Sequence, residues 1–288
     1  MNNSTNVNNP ERVDIEKVLS DKSPLLKRFL PGFMVSYLKR LIHQDTLNLF
    51  LQNHGHLSGI EFIEALLTDL NTKLDISGLN NIPKDGRYII ASNHPLGGID
   101  GLALMLAVGK VRKDLVFPVN DILMNIENLR PLFIPINKHG SNAQNIKILN
   151  DTFASDKIIC YFPFGLVSRK RKGKIMDIEW KNTFISKAKK YKRDIIPTHI
   201  GGRNSNFFYN LSNIRKAIGI KANIEMLFLV NEFIKQRNST LKITFGSPIS
   251  YSTFDNRHTK AEWAEILRQY SYSLDTGYNE LIGKELGV

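Results

Sequence analysis

The sequence predicts an α/β fold: a mixed, mostly parallel sheet flanked by helices and preceded by a helical N-terminal extension. Three observations carry this. From residue 74 onward, short apolar runs alternate with segments of helical periodicity. The runs are continuous and rich in β-branched residues, as in strands covered by helices on both faces. At 288 residues, 42% hydrophobic and 23% charged, the chain has material for one large core and lacks the composition of disorder. The expected organisation is a tail over 1–12, a helical region over 13–72, and an α/β domain over 73–288.

The first residues, "MNNSTNVNNPERVD", are polar and asparagine-rich, without the apolar segment of a signal or transit peptide. Residues 13–72 then place apolar side chains at three- and four-residue spacing in "PLLKRFLPGFMVSYLKRLI" and "SGIEFIEALLTDLN". Pro31-Gly32 interrupts the first of these. Leu25, Leu26, Phe29, Leu30, Phe33, Met34, Tyr37 and Leu38 form an apolar face flanked by Lys27, Lys39 and Arg40. Such a face either packs on the core, the commoner fate, or lies in a membrane interface. No segment reaches the roughly eighteen uninterrupted apolar residues that a spanning helix needs. Strands follow at "LDISGL", "RYIIAS", "DLVFPV", "LFIPIN", "KIICYF", "DIIPTHI" and "LKITFG", with helices at 101–108, 141–153, 180–191, 209–218 and 259–273.

The single cysteine, Cys160, falls within the apolar run "KIICYFPFG", which excludes an internal disulfide and a cysteine-rich zinc site and fits a reducing cytosolic compartment. The formal charge of +12 is concentrated: residues 169–193 hold eleven Lys or Arg against two acids. Such a patch suits anionic lipid, an acidic carrier protein, a phosphorylated substrate or nucleic acid. It is also what a solvated helix face looks like. Nucleic acid ranks last, because only Trp180, Phe184 and Tyr191 interleave the cations and no nucleic-acid motif is present.

Chemistry concentrates in "SNHPLGGIDG", residues 92–101, where a predicted strand ends and a helix begins. Open α/β sheets place their sites at such strand ends. His94 can accept a proton from a hydroxyl when a carboxylate such as Asp100 holds its tautomer and stabilises the imidazolium. Alternatively Asp100 is a helix cap and His94 a turn residue. Composition leaves both open.

"NHPLGGID", followed in order by "LFIPINK", "FPFGLVS" and "IIPTHIGG", resembles the motif blocks of the glycerolipid acyltransferase superfamily, which includes the lysophosphatidic acid acyltransferases. The resemblance covers roughly residues 74–250. It is greatest to the hemolysin-like branch, whose bacterial members include O-acyltransferases of lyso-aminolipids such as ornithine and glycine lipids. There are departures. Five residues, not four, separate His94 from Asp100, an insertion that Gly97 and Gly98 can absorb by adopting positive φ. Phe164 replaces a glutamate, Leu166 and Val167 replace a hydroxyl residue and an arginine, and Arg169 lies two positions late. Asn137-Lys138 replaces an Asp-Arg pair and gives up a planar fork for phosphate.

The resemblance implies direct acyl transfer, without a cofactor, metal or acyl-enzyme. His94 takes the proton of an acceptor hydroxyl as it attacks the thioester of acyl carrier protein or acyl-CoA, and Asp100 orients His94. Backbone N–H groups of the glycine turn would receive the oxyanion. Asn93, Gly97, Gly98, Phe162, Pro163, Gly165 and Ser168 fall to the substrate site, with Lys138, Arg169 and Arg203 as cations for an anionic head group or the pantetheine arm. The departures point to a lyso-aminolipid acceptor over lysophosphatidic acid. The apolar face between Leu25 and Leu38, the cations beside it and the lack of a spanning segment point to a peripheral enzyme on the cytoplasmic face of an anionic membrane. A catalytically idle lipid-binding scaffold on the same fold is the competing reading. Among the other histidines, His54 and His56 read as a polar loop, His43, His139 and His258 as exposed, and His199 as a strand-end residue directed toward the site. Glu232 is a candidate polar site residue.

Overall fold

The computed structural model describes residues 12–22, 30–120, 123–136, 143–276 and 280–288. Among the described residues the first helices are α1 (Ile15–Lys22), α2 (Gly32–Leu41), α3 (Gln44–His54) and α4 (Gly59–Asp69). The main sheet has seven strands: β1 (Lys73–Ser77), β2 (Tyr88–Ser92), β3 (Leu115–Val119), β4 (Phe133–Pro135), β5 (Ile158–Tyr161), β8 (Asp194–Ile200) and β9 (Thr240–Phe245). Between β5 and β8 a separate hairpin is formed by β6 (Arg169–Arg171) and β7 (Lys174–Met176). The remaining helices are α5 (Ile99–Gly109), α6 (Ala143–Ala154), α7 (Thr183–Tyr191), α8 (Asn206–Ala217), α9 (Leu229–Ile234), α10 (Lys260–Thr276) and α11 (Glu280–Leu286).

The strand order is β1-β9-β8-β2-β5-β3-β4. Every pairing is parallel except β8 with β9, so β9 and β1 run against the other five strands. The strands alternate between two cores with the period of two that a pleated strand imposes. Ile90, Cys160 and Ile196 project into one core with α4 and α5, through Phe62, Ile63, Leu104 and Val108. Ile89, Ala91, Ile159 and Ile195 project into the other, with Phe184 of α7 and Trp263 and Leu267 of α10. Continuous apolar strands are thus the consequence of two covered faces. Burial drives the Cys160 thiol pKa upward, which keeps this lone thiol inert.

Two parts of the molecule depart from a simple reading of periodicity. The α4 helix, within the N-terminal region, is an integral wall of the first core, whereas α2 leaves Phe33, Met34 and Tyr37 exposed. Leu25, Leu26, Lys27 and Phe29 of the same expected face lie outside the described residues. The β6–β7 hairpin falls in the basic run, whose charged residues carry no alternating apolar signal. Among the described residues no helix is long and apolar enough to cross a membrane.

Candidate active site

The sheet's geometry brings His94 and Asp100 together. β2 ends at Ser92, between β8 and β5, and the chain turns through Pro95–Leu96 and two glycines into α5. Gly97 has φ +95°, in the region that only glycine occupies without strain, while Gly98 keeps a negative φ of −131°. One positive φ therefore suffices to absorb the inserted residue. A Cβ on Gly97 would also stand 2.7 Å from Leu229 Cδ2 and 3.0 Å from Val167 Cγ2. Gly97→Ala is accordingly expected to destabilise the protein by about 1–3 kcal/mol and to displace the His94 turn. Denaturant unfolding together with acyl-transfer kinetics checks both effects; unchanged stability would contradict the required backbone conformation.

His94 Nδ1 lies 3.0 Å from Asp100 Oδ2, and the Asp100 carboxylate is fully buried (0% exposed) against 15% for the His94 side chain. Oδ2 also accepts the N–H groups of Leu96 (2.8 Å) and Gly97 (3.2 Å), and Oδ1 accepts that of Gly101. Burial alone would raise the Asp100 pKa. The charge and hydrogen bond of His94 and the Leu96 and Gly97 donors outweigh it, so the pKa falls below the ordinary carboxylate value. An ionised Asp100 fixes the proton on Nδ1 and leaves the Nε2 lone pair as the basic atom. Asp100 is not a helix cap: Gly98 holds that position, and the carboxylate reaches back into the turn instead. Because Leu96 and Gly97 spend their N–H groups on Asp100, the next donors at this helix start are those of Gly98 and Ile99.

The wall around His94 comes from the third block. Phe162 stacks on the imidazole with ring centroids 4.1 Å apart and 22° between planes, and is itself met edge-on by Phe117. Gly165, at φ +67°, closes a turn by donating its N–H to the Phe162 carbonyl, while the Pro163 carbonyl accepts from Lys181. Phe164 is buried in the second core. Ser168 is buried; its N–H donates to the His94 carbonyl at 2.7 Å and its Oγ to Asp177 Oδ1 at 2.6 Å.

Asp177 is a residue that sequence reasoning passed over. Fully buried, it accepts from Ser168 Oγ, Trp180 Nε1 and the His94 N–H, and its own N–H donates to the Tyr272 hydroxyl. Burial pushes its carboxyl pKa up against those bonds. It braces the main chain of His94, not the ring. The only local signal was its place as one of two acids in a strongly basic run.

Other expected residues are placed differently. Asn93 is a strut: its amide donates to the Ile200 carbonyl and accepts the Ile200 N–H, tying the ends of β2 and β8. The guanidinium of Arg169 is buried and spent on Glu225, 3.1 Å away, with Arg215 on the same carboxylate. Arg203 is exposed, in a loop set against the His94 turn: neighbouring Asn204 donates to the Pro95 carbonyl, and a Cβ on Gly202 would touch Leu96. Buried Glu232 accepts from Ser205 N–H and Oγ and pairs with Lys235, clamping α9 to the start of α8. His199 is buried, with its pKa lowered by desolvation and its ring edge-on to Tyr272. His43 is not simply exposed: it bonds Asn231 at 2.9 Å, and His258 bonds Glu285. His54 packs against the Phe50 ring. Asn137, Lys138 and His139 lie outside the described residues. Beside the Asn93–Ser168 wall, a cavity of about 630 Å³ opens between the hairpin and α10, lined by Lys174, His199 and Arg268 among others. Among the described residues no group of His, Cys, Asp and Glu could hold a metal ion.

Comparison with known proteins adds four findings. The model of the acyltransferase family matches residues 17–280. A lyso-glycine lipid O-acyltransferase of Bacteroides thetaiotaomicron is 47% identical over 264 residues, 91% of this chain and 97% of that protein. One of Phocaeicola vulgatus is likewise 47% identical over 264 residues, covering 91% and 95%. The crystal structure of the 1-acyl-sn-glycerophosphate (LPA) acyltransferase PlsC from Thermotoga maritima superposes with a TM-score of 0.45 at 14% identity, covering 86% of this chain and 95% of that one.

Proposed function

This chain belongs to the acyltransferase family, and on that footing we propose that it O-acylates the hydroxyl of a lyso-glycine lipid. The observation that carries the reaction is the 3.0 Å contact between His94 Nδ1 and a wholly buried, ionised Asp100. It leaves Nε2 as the base for an acceptor hydroxyl. The oxygen attacks the thioester carbonyl of acyl carrier protein or acyl-CoA; the proton passes to His94 and then to the departing thiolate. As charge develops on the imidazole, Asp100 is in place to balance it. Phe162 holds the ring in plane, and the N–H groups of Gly98 and Ile99 are the donors we assign to the oxyanion.

The acceptor follows from the relatives, both named as lyso-glycine lipid O-acyltransferases at 47% identity over nearly their whole length. An N-acyl glycine ends in one carboxylate, which a single cation satisfies where a dianionic phosphate calls for a fork. Arg203, beside the His94 turn, is the cation we assign to it, with Lys138 as the second. The exposed apolar residues of α2 would hold the enzyme at a membrane surface where such an acceptor resides. We read the α/β domain from residue 73, with α4 built into its core, as the catalytic unit, and the exposed face of α2 as the part of the N-terminal region that meets a membrane.

The test is a competition in one vessel: N-(3-hydroxyacyl)glycine against lysophosphatidic acid, with one acyl donor. The expected result is a kcat/KM at least about tenfold higher for the glycine lipid, the discrimination given by a site matched to one head group. A preference for lysophosphatidic acid would overturn the acceptor and leave the acyl transfer standing.

A further inference from the structure

Helix α8 carries two faces of opposite purpose. Its inward residues are Phe208, Tyr209, Ser212 and Arg215. Phe207, Leu211, Ile214 and Ile218 recur at the spacing of a second apolar stripe, on the other side. That stripe looks outward: Phe207, Ile214 and Ile218 are 53%, 59% and 65% exposed. It continues past the helix, where Ile220 and Leu227 are also exposed and Phe228 meets the Phe207 ring edge-on at 4.9 Å. Single exposed apolar residues are ordinary, but a contiguous set marks a contact surface.

The charge around the stripe has one sign. In residues 201–228 the exposed charged side chains are Arg203, Lys216 and Lys221; the single acid, Glu225, is buried. Beneath α8, Arg169 and Arg215 share that one carboxylate, so the buried cluster itself keeps an excess of positive charge. The β6–β7 hairpin packs against α8 and adds Lys170, Arg171, Lys172 and Lys174. The hairpin part of the basic run, which the catalytic site does not use, is therefore set beside the apolar stripe. The face also adjoins the chemistry: α9 follows directly on Phe228 and lays Leu229 and Phe233 over Gly97 and Gly98.

We propose that α8, the turn through Leu227 and the β6–β7 hairpin form a docking face for an anionic lipid bilayer, with the apolar stripe below the head groups and the cations among the phosphates. A bilayer interface accommodates both features at once. The inference rests on the acceptor being a lipid, since that is why the surface next to the His94 turn should face one. It is distinct from the exposed residues of α2, a helix followed by His43, which bonds Asn231 of α9.

The test uses the full chain, sedimented with vesicles of phosphatidylglycerol and phosphatidylcholine or of phosphatidylcholine alone. The variants are Ile214→Ser with Ile218→Ser, Arg171→Glu with Lys216→Glu, and Phe33→Ser with Met34→Ser. Thermal melts confirm folding, and acyl transfer in detergent micelles is measured in parallel. The isoleucine pair is expected to lose about tenfold or more in partition while keeping its micellar turnover. The charge-reversed pair should lose the preference for anionic vesicles. Wild-type partition by the isoleucine pair, or loss confined to the Phe33 and Met34 variant, would overturn the proposal. So would a wild-type chain that ignores vesicles and instead binds acyl carrier protein through Ile214 and Ile218. Vesicle binding as expected, without micellar acyl transfer, would instead refute the function proposed above and leave this face standing.

Discussion

Replacing His94 by alanine is expected to lower kcat/KM for acyl transfer by about 10³-fold or more, equivalent to about 4 kcal/mol of transition-state stabilisation. The imidazole supplies the base for the acceptor hydroxyl, and the Asp100 carboxylate is committed to its Nδ1. Folding should survive. The side chain is partly exposed, and the carbonyl and N–H that fix the loop through Ser168 and Asp177 belong to the main chain. Steady-state kinetics with purified donor and acceptor, beside a thermal melt, checks both halves. Turnover near that of the wild type in a folded variant would dismiss His94 as the base.

Asp100→Asn should cost about 10²- to 10⁴-fold in kcat, because the neutral amide neither fixes the proton on Nδ1 nor stabilises the imidazolium. A helix cap would behave differently, since asparagine caps as well as aspartate; here the capping position is Gly98. The same carboxylate predicts the direction of acid sensitivity. Its pKa is lower in the folded protein than in the unfolded chain, so the stability it contributes is complete above the unfolded value. That contribution disappears as the pH falls through the folded one. Asp100→Asn should therefore flatten the acid limb of the stability curve below about pH 4. An unchanged acid limb would show that the carboxylate is not held ionised by its partners.

Much of the fold was legible because its signals are local. Seven apolar runs became the seven strands of the main sheet, and continuous β-branched residues correctly implied two covered faces. The contact of His94 with Asp100 was legible too, because only six positions separate them and glycines lie between. The hairpin was not, since β6 is Arg-Lys-Arg and β7 offers only Ile175 and Met176, too short a run to declare a strand. The outward stripe of α8 was equally silent: periodicity reports that a helix has an apolar face, not which side meets the core.

The sequence by itself determined the alternation of strands and helices, the strand-end position of His94 and the basic excess of residues 169–193. The tertiary structure alone decided where those charges are directed. Arg169 and Glu225 are far apart in the chain, and so are Asp177 and Tyr272, yet each pair meets in the folded protein. Burying an arginine or aspartate is costly unless a partner is waiting, and the partner can come from any part of the chain that the sheet brings near. A motif position can thus name Arg169 as a candidate for substrate, but only the packing of α8 on the hairpin turns its guanidinium onto Glu225 and leaves its basic neighbours at the surface.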